Sequence, residues 1–102
     1  EHLAREGVAK RSEQALGRLR VAATQGDPEL QYELAMNLFE GNGVAQDRAE
    51  AFEWLRKAAE SRHVEAMEHL ARCYREGDGV SKNTEQARRW TERARQHAAQ
   101  LN

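Results

Sequence analysis

The segment ELQYELAMNLFEGNGVAQDRAEAFEWLRKAA, residues 29–59, sets the fold because the chain repeats it. A shift of 36 residues carries Gly43-Val44 onto Gly79-Val80, and the reverse shift carries it onto Gly7-Val8. At the forward shift the identical pairs include Leu34 and Leu70, Ala35 and Ala71, Gly41 and Gly77, Ala51 and Ala87, Trp54 and Trp90, and Ala58 and Ala94. A fixed period in the thirties is typical of helical repeat arrays, in which each unit buries its apolar face on its neighbours. The sequence therefore predicts an all-α array.

Length and composition limit the class of protein. The 102 residues suit one small domain, and a single proline favours helix throughout. Charged residues make up 32% and aromatic residues 6%, but the apolar residues are periodic, so we do not predict disorder. The net charge of −1 argues against a general nucleic-acid binder, and no apolar run approaches the length of a membrane span. We therefore expect neither nucleic acid nor a membrane as a partner.

Two features bear on the location of the protein, and neither decides it. Cys73 is the only cysteine, which excludes a disulfide within the chain and leaves the redox compartment open. The chain starts at Glu1 rather than at methionine, so we interpret it as a mature product or an excised piece. The sequence is compatible with a soluble cytoplasmic protein and, after removal of a signal peptide, with a periplasmic or secreted one.

Apolar spacing predicts five helices, a lone helix followed by two hairpins. We interpret residues 1–6 as the end of an earlier helix and Gly7-Val8 as an inter-helix loop. The five predicted helices cover about residues 11–25, 28–40, 47–59, 64–76 and 83–100. The expected inner residues are Ala15, Leu16, Leu19, Ala22 and Ala23 in the first, Leu30, Leu34, Ala35 and Leu38 in the second, and Ala66, Leu70, Ala71 and Tyr74 in the fourth.

Capping residues mark where the predicted helices start and stop. Asp27 precedes Pro28, the order expected of an N-cap followed by the first helical residue. The capping-box-like pairs are Asp47 with Glu50 and Asn83 with Gln86. Gly41 and Gly43 turn the chain between the helices of a hairpin, and we expect at least one of them to need a positive φ.

Each copy carries the same ordered pattern of small, apolar and turn residues. The pattern is Ala-x-x-x-Leu-(Gly/Ala)-x-x-Tyr-x-x-Gly-x-Gly-Val, followed by Asp, Ala, Trp and Ala-Ala. The first full copy reads Leu30, Leu34, Ala35, Leu38, Gly41, Gly43, Val44, Asp47, Ala51, Trp54, Ala58, Ala59, and the second reads Ala66, Leu70, Ala71, Tyr74, Gly77, Gly79, Val80, Asn83, Ala87, Trp90, Ala94. This pattern resembles the Sel1-like repeat (SLR) family, a relative of the tetratricopeptide repeats, over roughly residues 7–96. The departures are Ala35 and Ala71 for Gly, Leu38 for Tyr, Arg95 for Ala, and Arg62-His63 for the usual Gly.

The resemblance implies a right-handed α/α superhelix (a solenoid) of antiparallel helix pairs. It would contain a partial repeat in residues 1–26, a full repeat in 27–62, and a second in 63–102 that ends in a capping helix. It also implies a scaffold for protein or peptide partners, with no catalysis and no cofactor. In the SLR architecture the first helix of each pair lines the concave side.

The residues give little support for a phosphate-binding, metal-binding or catalytic site. Gly41-Asn42-Gly43 follows a helix rather than a strand and lacks a Walker lysine, so we interpret it as a turn and not a phosphate loop. His69 and Cys73 share a helix face, but two ligands do not make a metal site, and Cys73 is expected to be partly buried. Carboxylates at caps and on outward faces favour surface roles over catalysis. Trp54 and Trp90 hold the same repeat position and are expected in the core, each between its paired helices.

Helical steps of 100° place six residues on the predicted concave surface. They are Tyr32, Met36, Phe39, Glu68, Arg72 and Arg75. Apolar anchors beside arginines are typical of binding hot spots, so these are our candidate partner-binding residues. The alternative is that Tyr32 and Phe39 pack against the preceding helix.

The last helix differs from its counterpart on one stripe. The residues there change from Phe52, Leu55 and Ala59 to Arg88, Thr91 and Arg95. A polar outer face is expected where an array ends, so we interpret the last helix as a terminal cap. The alternative is that its arginines, which include Arg89 and Arg93, contact an acidic partner or nucleic acid.

Together these features predict a non-enzymatic adaptor that binds a protein or peptide, and the concave groove is its expected binding site. The alternative is a structural stretch of a longer solenoid whose recognition surface lies upstream. The sequence does not identify the partner or the oligomeric state.

Overall fold

The chain forms a series of antiparallel helices in a computed structural model that describes residues 14–41 and 46–101. Helix α1 covers residues 14–24, and the next four are α2 (Pro28–Glu40), α3 (Arg48–Glu60), α4 (Val64–Glu76) and α5 (Thr84–Leu101). No strand occurs within those two ranges. The predicted all-α fold of five helices is confirmed, while the calls on residues 1–6, Gly7-Val8 and Gly43 lie outside the described residues.

The helices start at the residues that the sequence marks, although the predicted capping boxes form only in part. An Asp27 carboxylate oxygen accepts a hydrogen bond from the Glu29 N–H at 3.0 Å, and Asp47 accepts one from the Glu50 N–H at 2.9 Å. The Glu50 side chain does not return a hydrogen bond to the Asp47 N–H, as it would in a full capping box. That N–H instead donates to the Leu38 carbonyl at 3.0 Å, because Glu50 is held by other partners.

The same arrangement recurs one repeat later. The Asn83 side chain accepts from the Gln86 N–H at 3.0 Å, and the Asn83 N–H donates to the Tyr74 carbonyl at 2.7 Å. Leu38 and Tyr74 hold equivalent positions, so each hairpin is closed by the same main-chain hydrogen bond whichever side chain stands there. The substitution of Leu38 for the usual Tyr therefore leaves the turn intact.

The first helix of each hairpin ends on a left-handed glycine. Gly41 and Gly77 have φ of 70° and 74°, and their N–H groups donate to the Asn37 and Cys73 carbonyls. The prediction of a positive φ is confirmed at Gly41. The joint between the hairpins has no glycine, and there Arg62 itself takes a φ of 70°, an uncommon conformation for a residue with a side chain. The imidazole of His63 then caps α4, since its Nδ1 accepts from the Ala66 N–H at 3.1 Å.

Two apolar clusters hold the helices together. The smaller joins α1 to the first hairpin through the buried residues Ala23, Leu34, Leu38 and Ala51, and the larger joins the two hairpins through Ala35, Phe52, Leu55, Ala58, Ala59, Ala66, Met67, Leu70, Ala71, Cys73, Trp90 and Ala94. Alanine recurs in both because small side chains let helix backbones approach closely. Extensive contacts join consecutive helices and are less extensive between α3 and α4 than within either hairpin.

Burial departs from the predicted inner faces at several positions. Ala15 was expected inside and is exposed, because the contact stripe of α1 runs through Leu16, Leu19 and Ala23 at helical spacing. Leu30 is only half-buried, and its neighbour Gln31 is buried instead, with its Nε2 donating to the Ala23 carbonyl at 3.0 Å. The prediction also omitted Met67, which is buried in the larger cluster.

The two repeat-equivalent tryptophans are buried to different extents. Trp90 is 7% exposed, as expected of a core residue. Trp54 packs against both clusters, as expected of a residue between its paired helices, but it is only half-buried. Its Nε1–H donates to a Glu50 carboxylate oxygen at 3.1 Å, and the Glu50 carboxylate also binds Arg20 of α1. This polar neighbourhood holds one edge of the Trp54 indole near solvent.

At Gly79 the backbone of the second hairpin lies close to the backbone of the first. Its φ is 76°, and a Cβ placed there would lie 2.4 Å from the carbonyl oxygen of Arg48. Beside this contact Arg48 pairs with Asp78 at 2.6 Å, and Phe52 meets Tyr74 edge-on with ring centroids 5.4 Å apart. Only glycine allows the two backbones to come this close. This contact sets the position of α4 against α2 and α3.

Candidate functional site

A first cleft lies where α2 and α4 run side by side. Its volume is about 200 Å³, and its walls are Met36, Phe39, Glu40, Arg48, His69, Arg72, Cys73, Glu76 and Asp78. Met36 and Phe39 are half-buried and pack against the larger cluster, so they form an apolar floor between charged walls.

A second cleft, toward the start of the same two helices, has a volume of about 310 Å³. It is lined by Tyr32, Glu65, Glu68, His69 and Arg72. The Tyr32 ring stacks on His63 with centroids 4.8 Å apart and meets His69 edge-on at 5.5 Å. The two clefts share His69 and Arg72, and we call the surface they form the α2–α4 face.

A third depression, which we call the end groove, lies between α4 and α5. Its volume is about 460 Å³. It is lined by Val64, Glu68, Arg72 and Arg75 of α4 and by Thr91, Ala94, Arg95 and Ala98 of α5. Arginines therefore dominate its rim, while small and apolar residues lie between them.

Each of the six predicted partner-binding residues lines at least one of these depressions. Met36 and Phe39 lie in the first cleft, Tyr32 in the second, and Arg75 in the end groove. Glu68 lines the second cleft and the end groove, and Arg72 lines all three. The structure thus distributes the six residues around the exposed side chain of Arg72.

The apolar members of this set are less accessible than the helical projection suggested. Tyr32, Met36 and Phe39 are half-buried because α4, the following helix, packs against them. Among the described residues, Tyr32 packs with the larger cluster, which gives no support to the alternative of packing against the preceding helix. It holds in part for Phe39, which contacts both the larger cluster and the cluster shared with α1.

Hydrogen bonding and burial set the charge of the α2–α4 face. Arg72 donates to Nδ1 of His69 at 2.7 Å. Burial, with the Arg72 guanidinium beside it, lowers the pKa of His69, so this imidazole stays neutral near pH 7 and can accept the bond. Burial and the neighbouring Glu65 carboxylate raise the pKa of Tyr32, which keeps its hydroxyl protonated. Within the described ranges no carboxylate forms an ion pair with Arg72 or Arg75.

Cys73 has the environment of a packing residue. It is 5% exposed at the back of the first cleft, and burial, with Asp78 nearby, raises the pKa of its thiol to about 11. A protonated, buried thiol is a poor nucleophile and a poor metal ligand. No group of three or more His, Cys, Asp or Glu side chains in residues 14–41 and 46–101 is arranged to hold a metal ion. The helices in those ranges are also too short or too polar to cross a membrane.

Two successive matches to the Sel1 repeat family model cover residues 28–63 and 64–97. The chain belongs to the Sel1 repeat family. Proteins with Sel1 repeats generally serve as protein-interaction scaffolds, and their repeat fold is non-catalytic. The predicted SLR membership is thereby confirmed.

Solved structures of Sel1 repeat proteins share the fold of this chain. A Sel1 repeat protein from Oxalobacter formigenes is 35% identical with a TM-score of 0.80, over 83% of this chain and 35% of that one. The protein c5321, a protective antigen of uropathogenic Escherichia coli strains with an SLR fold, is 38% identical with a TM-score of 0.78, over 87% and 18%. Cysteine rich protein B of Helicobacter pylori, at 22% identity and a TM-score of 0.79 over 84% and 65%, shows the shared fold alone.

The match spans less than two thirds of each of these three proteins. No curated protein sequence matches the chain significantly. The likeness to SLR structures confirms the predicted α/α solenoid.

Proposed function

We propose that the chain is a non-enzymatic adaptor that binds a protein or peptide on the α2–α4 face, which corresponds to the concave side of the SLR architecture. The observation that carries the proposal is the position of Arg72. Its exposed guanidinium lines all three depressions, and among the described residues its one hydrogen-bond partner is the neutral His69. An acidic group of a ligand would meet it directly.

The apolar side chains beside Arg72 support the same proposal. Met36 and Phe39 form the floor of the first cleft, and Tyr32 lies in the second, with its ring held by His63 and His69. Aromatic and arginine side chains at a partly desolvated surface are the residues that carry most binding energy. Because packing already fixes Tyr32, little side-chain entropy is lost when a partner covers it.

The test uses peptides selected from a displayed random library against the whole chain. For a selected peptide, Met36→Ala and Arg72→Ala should each weaken binding by about 1–3 kcal/mol, the usual effect of truncating an anchor. The Arg72 contribution should shrink in high salt, because ions screen it, while that of Met36 should not.

Arg88→Ala is the matched control, since Arg88 lies on α5 away from the three depressions and pairs with Glu85. Each variant is first checked for its helix content by circular dichroism. If Arg88→Ala weakens binding and Met36→Ala and Arg72→Ala do not, recognition lies on another surface and the proposal fails.

A second candidate function is that of a structural stretch within a longer solenoid that recognises its partner upstream. The coverage of 35%, 18% and 65% in the three similar structures favours it, because those chains are longer than the matched stretch. In that case substitutions on the α2–α4 face would leave partner binding by the full-length protein unchanged. Removal of repeats that precede this stretch would abolish it.

A further inference from the structure

The α2–α4 face carries charges of alternating sign along α4. Glu65 and Glu68 line the second cleft, Glu76 lines the first cleft, and Arg72, which lines both, lies between them in the sequence of the helix. All four residues are exposed, and they follow one another at three- or four-residue steps, so they share one stripe of α4. Along the helix the order of charge is therefore negative, positive and negative.

These charges are not neutralised by ion pairs within the described part of the chain. In residues 14–41 and 46–101 none of the three glutamates forms an ion pair or a side-chain hydrogen bond, and Arg72 donates only to the neutral His69. Arg48 and Asp78, which also line the first cleft, pair with each other at 2.6 Å. A ligand therefore meets charges that it need not first release from an internal partner.

The spacing of these charges fits a peptide in an extended conformation. Glu68, Arg72 and Glu76 are four residues apart, and each such step is a rise of about 6 Å along a helix. In an extended chain, alternate side chains point to the same side and lie about 6.6 Å apart. The first, third and fifth residues of a peptide that lies along α4 would therefore meet the three charges in turn.

Helix α2 supplies the apolar part of the same face. Tyr32, Met36 and Phe39 follow one another at three- or four-residue steps and are half-buried. The two helices run in the same direction, because the second cleft joins their starts and the first cleft joins their ends. The second and fourth residues of the extended peptide point away from α4 and toward this apolar row, so apolar side chains suit those two positions.

We propose that the α2–α4 face binds an extended peptide segment in which basic, apolar, acidic, apolar and basic residues follow one another. The acidic residue pairs with Arg72, and the basic residues pair with Glu68 and Glu76 on its two sides. The two apolar residues contact the apolar row of α2. This inference rests on the adaptor function proposed above, because it states which chemical class of peptide that function recognises.

Two peptides of identical composition test the order of charge. The first carries Lys-Leu-Glu-Leu-Lys between Gly-Ser flanks, and the second carries Lys-Glu-Leu-Leu-Lys, in which the acidic side chain lies on the opposite side of an extended chain. NMR titration of the isotope-labelled protein measures both affinities and detects weak binding. The first peptide should bind about threefold or more tightly than the second, the size expected for one exposed ion pair.

Charge neutralisation on the protein then identifies the partners of the two lysines. The double substitution E68Q/E76Q should weaken the first peptide by about fivefold or more, since two ion pairs are lost. On this variant, replacement of both peptide lysines by glutamine should change the affinity by less than about twofold, because the groups they pair with are already absent.

The matched control is E53Q/E92Q. It makes the same change in net charge on α3 and α5, at exposed glutamates that line neither cleft. The affinity for the first peptide should change by less than about twofold at physiological salt. All four glutamates are exposed, so glutamine should preserve the fold, and circular dichroism of each variant checks this.

Four results would overturn the inference. They are equal affinity for the two peptides, no binding of either, an effect of E53Q/E92Q as large as that of E68Q/E76Q, and self-association of the chain that E68Q/E76Q abolishes. The last would show that a second copy of the chain occupies the face. The adaptor function fails on a different result: if library-selected peptides need Met36 and Arg72 but lack this order of charge, that function stands and the present inference is wrong.

Discussion

Tyr32 of α2 stacks on His63, the residue that caps α4, with ring centroids 4.8 Å apart and an interplanar angle of 28°. Nδ1 of His63 accepts the Ala66 N–H, so the proton of the neutral ring is on Nε2, which lies 2.8 Å from a Glu29 carboxylate oxygen. One imidazole therefore joins the starts of α2 and α4. The Tyr32 side chain that lines the second cleft is held by the same contact that fixes the joint between the hairpins.

Replacement of His63 tests this role. His63→Ala removes the cap and the stack, while His63→Asn removes the stack but keeps an oxygen that can cap α4. Unfolding in urea should show His63→Ala to be less stable than His63→Asn by about 0.5–2 kcal/mol, the usual contribution of an N-cap. Equal stability of the two variants would show that the His63 imidazole does not cap α4 in solution.

Gly79 and Gly77 provide a matched pair of alanine substitutions. Both have a positive φ, so each substitution should cost about 1–2 kcal/mol for the left-handed backbone. Only at Gly79 would the new Cβ lie 2.4 Å from the Arg48 carbonyl oxygen; at Gly77 the nearest atom is 3.5 Å away. Gly79→Ala should therefore lower the free energy of unfolding clearly more than Gly77→Ala. A cost at Gly79 no larger than at Gly77 would contradict the close approach of the hairpins.

Truncation of the two tryptophans should lower the free energy of unfolding by different amounts. Trp90→Ala removes a buried indole and should cost about 3–5 kcal/mol, which in a small domain can mean loss of the fold. Trp54→Ala should cost less, because its indole is half-buried and borders the Arg20–Glu50 ion pair. Urea melts of the two variants, followed by circular dichroism, compare them directly. A larger loss for Trp54 would reverse the order of burial described above.

These two residues show which part of the fold could be predicted. Period and spacing identify the helix faces, because burial of one stripe per helix is a local property of the sequence. The difference between Trp54 and Trp90 depends on Arg20, thirty residues before Glu50 in the chain, and no local pattern reports such a pair. The same holds for Tyr32, whose burial follows from α4 packing across it rather than from its place on α2.

The candidate site was likewise predictable in part. Helical projection grouped six residues that the structure also places near one another, because residues of one face stay together in any helix packing. It did not show that the apolar members are half-buried against α4 while the charged members Glu68, Arg72 and Arg75 stay exposed. This difference can be read from the sequence by comparing each residue with its equivalent one repeat later, for example Phe39 with Arg75.

Cys73 should react slowly with alkylating reagents in the folded protein. With a pKa of about 11 rather than 9.0, its thiolate population at pH 8 is about a hundredfold smaller, and burial restricts access further. Iodoacetamide modification followed by mass spectrometry should therefore be much slower in buffer than in denaturing urea. Equal rates in the two conditions would contradict the burial of the thiol.

The same pKa shift predicts a loss of stability at alkaline pH. The folded state holds the Cys73 proton more tightly than the unfolded state, so the contribution is fully present below pH 9 and is lost as the pH rises toward 11. Its size is roughly 2–3 kcal/mol for a shift of this extent. In urea melts between pH 8 and 11, Cys73→Ala should lose less stability than the parent chain. A parallel decline in both would assign the effect to other groups.

The extensive contacts among the helices join each one to its sequence neighbour, and this order governs how the molecule bears tension. A force applied to the two ends loads the helix interfaces in series. The weakest interface therefore separates first, and the other interfaces stay intact. The junction between α3 and α4 is the least extensive of those within residues 28–101. When it parts, two hairpins remain, each closed by its own main-chain bond, Asp47 to Leu38 and Asn83 to Tyr74. The protein should therefore extend in steps under an applied force, and the two hairpins should separate before either of them unfolds.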